Sequence, residues 1–215
     1  MSGSSARRWN HNIHYHRLVL DAVPRGAQTA LDVGTGNGLL AADLVHRVPQ
    51  VVAIDLDPTV LRSARSEAPM VEWVHGDILS HVFPADSFDV VASMATLHHL
   101  PDPVQALRRC ADLTSPGGRV VVVGLARTSR PIEVVLHGIG AVQHAVLRRR
   151  YGFWEHTAPV VWPPPHTYSE VRRAARSALP GCRWRLLPMW RYCITWTKPL
   201  PDTHQPESKR GIVHG

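Results

Sequence analysis

The chain is poor in cysteine and lysine and has no long apolar run. Cys110, Cys182 and Cys193 are its three cysteines in 215 residues, and no two stand at C-x-x-C spacing. That spacing excludes a disulfide framework and a cysteine zinc site, and it fits a reduced, cytoplasmic setting. No stretch approaches the roughly 18 to 20 apolar residues of a membrane span. The opening MSGSSARRW lacks the apolar core of an export signal. Lysine is confined to Lys198 and Lys209, so arginine carries almost all of the formal net charge of +7. Such a charge admits nucleic acid or an acidic partner, and equally a set of arginines spread over solvated helix faces. The run Arg148-Arg149-Arg150 comes after an apolar segment, where it also suits a helix C-terminus. His11, His14 and His16 crowd one segment without an acidic partner or an i,i+4 pair, so no metal site is read there.

The sequence centres on ALDVGTGNGLLA, Ala30 to Ala41. A short apolar run ends in Gly34, Gly36 and Gly38, and a helix-like pattern starts at Leu39. The order is buried strand, tight turn, helix N-terminus. Unpaired N–H groups and a positive helix end are expected at the mouth of such a turn. The dinucleotide fingerprint G-x-G-x-x-G wants its third glycine where Leu39 stands. Asp32, two residues before Gly34, would repel a pyrophosphate and attract an ammonium or sulfonium.

Along the chain, residues 1–8 read as a frayed terminus and Trp9 to Val23 as a leading helix. Strands are expected at Leu31 to Val33, Val51 to Ile54, Val71 to Val74, Phe88 to Ala92 and Arg119 to Gly124. Helices are expected at Leu39 to Val48, from Asp57-Pro58 to about Glu67, and from Asp102-Pro103 to Leu113. This alternation predicts a doubly wound α/β fold with a mostly parallel sheet covered on both faces. Residues 130–165 break the rhythm, first apolar and glycine-interrupted, then rich in aromatics and proline. Placed near the carboxyl ends of the strands, they read as a substrate-shaping lid or as a linker packed by its own aromatics. Thr167 to Leu179 opens like a capped helix. Gly181 to Thr197 reads as two strands around Pro188 to Arg191, a terminal hairpin. Residues 9–198 thus make one domain, and 199–215 a disordered tail.

Asp32-x-Gly34-x-Gly36-x-Gly38 resembles the signature loop of class I S-adenosylmethionine (SAM) methyltransferases. VVAIDLD, HGDIL, FDVVASMATLHHL and LTSPGGRVVVVGL come after it in family order, from Val51 to Leu125. The resemblance implies a Rossmann-like, seven-stranded sheet with a C-terminal antiparallel hairpin and SAM as cofactor. It places Gly34, Thr35 and Gly36 under the cofactor and Asp32 near its amino end. Asp55, beside Leu56, takes the ribose hydroxyls, and Asp77 with Ile78 the adenine. Ser93 and Met94 face the reactive side. A segment before the first strand lies over the pocket, which makes Tyr15 and His16 candidates for the methionine end or the substrate. His98 and His99, after the fourth strand, are candidate catalytic bases at the pocket mouth.

The residues after the fourth strand narrow the acceptor. Ser93-Met94-Ala95-Thr96 has neither the proline pair nor the aromatic of the D/N-P-P-Y/F motif that holds a flipped-out base. A small-molecule acceptor is therefore expected, flat and aromatic or heteroaromatic, in quinone-type or specialised metabolism, with the enzyme a monomer or homodimer. Two rival readings stay open: a nucleic-acid methyltransferase using the arginines, and a SAM-binding protein without turnover.

Overall fold

The computed structural model describes residues 8–157 and 161–201. The expectations for residues 1–7 and 202–215 lie outside the described residues. Seven strands form one sheet: β1 (Thr29–Val33), β2 (Gln50–Asp55), β3 (Glu72–His75), β4 (Phe88–Met94), β5 (Thr114–Gly124), β6 (Arg183–Leu187) and β7 (Arg191–Thr197). Their order is β3-β2-β1-β4-β5-β7-β6. The first five are parallel, and β7 runs antiparallel to both β5 and β6.

Strand alternation feeds two cores. Val121 and Val123 of β5 point to one face, with Val19 of α1 (His11–Leu20) and Leu40 and Leu44 of α2 (Leu39–Leu44). Val120 and Val122 point to the other, with Leu107 and Leu113 of α4 (Pro103–Leu113) and Val171 and Ala175 of α6 (Tyr168–Ala178). A parallel sheet buried on both faces needs such continuous apolar strands.

The helix starts reflect local chemistry. Asp57 Oδ1 accepts the Thr59 N–H at 2.7 Å and opens α3 (Pro58–Glu67). Asp102 Oδ1 accepts from Val104 and Gln105. Thr167 and Glu170 form a reciprocal capping box on α6. Two boundaries differ from expectation by more than three residues. Helix α2 stops at Leu44, and the chain turns through Val48, whose N–H still bonds Leu44 O. Strand β5 begins at Thr114 because Thr114 already pairs with Phe88; the register then shifts, and Arg119 pairs with Val90.

The apolar part of the expected lid is one 21-residue helix, α5 (Pro131–Tyr151). Its polarity is inverted. Ile132, Val135, Ile139, Val142 and Val146 are exposed, while Glu133 is buried and bonded to the Arg130 N–H. Gly140 faces inward against the β6–β7 turn, where a Cβ would lie 2.3 Å from Met189 N. Among the described residues no helix is long and apolar enough to cross a membrane.

Candidate functional site

The carboxyl ends of β1, β2 and β4 meet beneath the N-terminus of α1 and enclose a cavity of about 700 Å³. That volume lies in the range of small-ligand sites, about 300–1,000 Å³. Its floor is the glycine loop. Gly34, Gly36 and Gly38 have φ of 67°, 54° and 78°, the left-handed region that favours glycine. Several of the donors expected to be unpaired in this loop are paired within the protein. The N–H groups of Gly34 and Thr35 bond Ile54 O, that of Gly36 bonds Asp55 Oδ2, and that of Gly38 bonds Thr35 O.

Asp32 stands at the tip of β1 and is 1% exposed. Its Oδ2 accepts the Thr35 hydroxyl at 2.6 Å, while Oδ1 is buried with no hydrogen-bond partner among the described residues. Burial is the main reason its pKa is raised to about 6, opposed by the Thr35 hydroxyl, by His16 and by the backbone N–H of Ala41. A buried acceptor oxygen that lacks a donor fits an ammonium. Asp55 accepts from Gly36 through Oδ2 and from Asp57 through Oδ1. Each of its oxygens keeps a second lone pair for a hydroxyl. Asp77 Oδ1 accepts the Leu79 N–H at 2.9 Å.

Past β4 the chain turns through Ala95 (φ 57°) and Thr96 into a short 3-10 turn, Leu97–His99. That turn sets His98 and His99 against the cavity, their rings 4.1 Å apart between centroids. Burial, then His99 and Arg191, lower the pKa of His98 to about 4. Burial is also the largest cause lowering His99. Trp154, His156 and Trp162 also line the cavity. Thr157, next to His156, is tied to the glycine loop: Asn37 Nδ2 donates to Thr157 Oγ1 at 2.8 Å, and Thr157 N–H returns to Asn37 Oδ1.

The structure brings together Asp32, Gly34, Thr35, Gly36, Asp55, Leu56, Asp77, Ile78, Met94, His98 and His99 around this space. Two sequence candidates do not line it. Ser93 alternates away within β4, and its hydroxyl donates to Val33 O at 3.1 Å. Tyr15 is buried, and its hydroxyl donates to Pro188 O at 2.8 Å. The other faces of α1 and the residue capping it supply Asn10, Asn12, Ile13 and His16 instead. Arg191, read from sequence as part of a turn, also lines the cavity, with only 7% of its surface exposed. No local signal marks it, because a charged residue beside a turn ordinarily faces water.

The family model described as a methyltransferase domain matches residues 31–122. A protein of Mycobacterium tuberculosis (strain ATCC 25618 / H37Rv), named an uncharacterized methyltransferase, is 43% identical over 195 residues. The match covers 89% of this chain and 98% of that protein. This chain is a class I SAM-dependent methyltransferase. The methyltransferase is also 38% identical to a ubiquinone biosynthesis O-methyltransferase of Xanthomonas axonopodis pv. citri (strain 306) over 124 residues. That stretch covers 55% of this chain and 50% of that protein. Against the crystal structure of the YcgJ protein from Bacillus subtilis the TM-score is 0.59 at 22% identity, over 80% of this chain and 70% of that one. That likeness concerns the fold alone. The methyltransferase uses SAM as methyl donor, and an unpartnered Asp32 oxygen beside a glycine floor is chemistry that a cationic amino-acid nucleoside fits.

Proposed function

We propose that the enzyme methylates a small molecule with a flat, aromatic or heteroaromatic body. One observation carries this reading. One cavity of about 700 Å³ is lined both by the glycine loop, Asp55 and Asp77 and by His98, Trp154 and Trp162. Bound SAM supplies an electrophilic methyl on a cationic sulfur. The chain's own residues do the rest. Asp32 holds the ammonium, Asp55 the ribose hydroxyls, and Asp77 with Ile78 the adenine. The two tryptophans offer flat faces for an aromatic ring. Residues 154–157, pinned to the loop by Asn37 and Thr157, act with Trp162 as a lid that keeps water from the reacting atoms. Where the accepting atom carries a proton, His98 and His99, kept neutral at pH 7 by burial, receive it. Holding the reacting groups in line is worth on the order of 7 to 11 kcal/mol.

The test is incubation with methyl-labelled SAM and fractionated cell extract. Label is expected in the small-molecule fraction. Label in RNA or DNA, with binding that falls steeply with salt, would favour the use of the +7 charge on nucleic acid. Cofactor binding without any labelled product would favour a non-catalytic role.

A further inference from the structure

Among the described residues, Arg191 is a cation buried without a counter-ion. Its Nη1 donates to Met189 O at 3.3 Å and its Nη2 to Asn12 Oδ1 at 2.9 Å. Its Nε is buried with no partner among the described residues. A guanidinium carries five N–H donors in a rigid fork, so most of its bonding capacity is unused. Arginine is almost never this buried unless paired. Its pKa falls to about 10 through burial, and the titratable neighbours acting on it are Tyr168, Tyr15 and Tyr192, with no carboxylate among them. No ion pair joins it to an Asp or Glu among the described residues.

The fold goes to some trouble to hold this residue. Met189 and Trp190 precede it with φ of 53° and 59°, left-handed positions that non-glycine residues adopt at a cost. Gly140 of α5 lets that strained turn pack backbone to helix. Asn12 of α1 then fixes one arm of the guanidinium. The sheet order sets its place in the cavity. Between β1, which carries the glycine loop, and β7 stand β4 and β5. At about 4.8 Å per strand, Arg191 lies roughly 14 Å across the sheet from the loop, while Asp55 and Asp77 lie on the opposite side of β1.

We propose that the methyl acceptor bears a carboxylate and that Arg191 is its counter-ion, at the end of the cavity away from the glycine loop. The proposal rests on the small-molecule reading above and narrows its substrate class. The fork of Arg191 takes the carboxylate's oxygens, with Asn12 holding the fork in place. The aromatic body of the acceptor then extends from Arg191 toward His98 and the tryptophan faces.

A small-molecule extract is passed over an anion-exchange resin at pH 7, and each fraction is offered to the enzyme with methyl-labelled SAM. Methyl acceptance is expected in the salt eluate alone, unchanged by phosphatase treatment. Acceptance in the flow-through, or its loss after phosphatase, overturns the carboxylate and leaves the small-molecule reading standing. Label confined to macromolecules overturns both. With the eluate as substrate, Arg191→Met is expected to raise KM about tenfold to hundredfold and to leave the dissociation constant of S-adenosylhomocysteine unchanged. Arg191→Lys is expected to fall between the two. An Arg191→Met enzyme with unchanged KM overturns the proposal, as does one that loses S-adenosylhomocysteine affinity alone, which would assign Arg191 to the cofactor's own carboxylate. If Arg191→Met does not fold, the resin fractionation with the wild-type enzyme still decides.

Discussion

Thr96 occupies the space that a side chain on Gly34 would need. A Cβ built on Gly34 lies 2.1 Å from Thr96 Cγ2, and the Thr96 hydroxyl donates to Gly34 O at 3.0 Å. The loop after β1 and the loop after β4 are thus locked together. Gly34→Ala adds both this clash and a left-handed alanine at φ 67°. It is expected to destabilise the protein by about 2 kcal/mol or more, read as a lowered denaturant midpoint. Adding Thr96→Gly should recover the part that is steric and leave the backbone part. Full stability in Gly34→Ala alone would contradict the locking role of Thr96.

Asp32 is a carboxylate buried at the tip of β1. Its pKa is about 6 in the folded protein against an ordinary 3.8. Between those values the folded state holds the proton more tightly than the unfolded state, so its contribution to stability falls as pH rises through about 6. Asp32→Asn removes that cost, on the order of 3 kcal/mol before any relaxation. The cofactor-free variant should therefore melt higher than wild type at pH 8 and equal to it near pH 3. The same variant should bind S-adenosylhomocysteine more weakly at pH 8, by calorimetry. A variant less stable at pH 8 with unchanged affinity would assign Asp32 a purely structural role.

Much of the fold was legible in the sequence because its signals are local. Asp57-Pro58 and Asp102-Pro103 announce helix starts, since the cap and the proline act within one turn. The run of valines in β5 and the alternation of strands with helices fix the layer order, and five motifs in sequence place the cofactor end. The features that were not legible depend on distant partners. Ser93 and Tyr15 sit beside the right elements and turn away, one to Val33 and one to Pro188. The inverted polarity of α5 reads from sequence only as an apolar segment. Arg191 is buried by α1 and the terminal hairpin, which are far apart in the chain, so no window of sequence shows it.

Asp55 has two duties. It accepts backbone N–H groups from Gly36 and Asp57, and in the proposed function it accepts the ribose hydroxyls. Asp55→Ala is expected to weaken S-adenosylhomocysteine binding by about 1.5 to 3 kcal/mol, with a smaller loss of thermal stability from the freed N–H groups. Unchanged affinity by calorimetry would remove Asp55 from the site.

In the proposed function, His98 sets the acid limit of activity. Its pKa of about 4 lies below the ordinary 6.5, with burial the largest cause. A His depressed in this way binds its proton more readily when the chain is unfolded. Its stability contribution is present above about 6.5 and is lost as pH falls through about 4. For an acceptor that must lose a proton, the acid limb of kcat should sit near pH 4 to 5 and vanish in His98→Gln, whose kcat should fall about 10²- to 10⁴-fold. A limb near 6.5 that survives in His98→Gln would exclude His98 as the base.

A crystal structure of the enzyme soaked with S-adenosylhomocysteine tests the assignment of the cavity most directly. The expected ligand lies over Gly34 to Gly36, its ammonium on Asp32, its ribose on Asp55 and its adenine against Asp77 and Ile78. A cavity without ligand at saturating concentration, or a nucleoside bound with its ribose away from Asp55, would contradict that assignment.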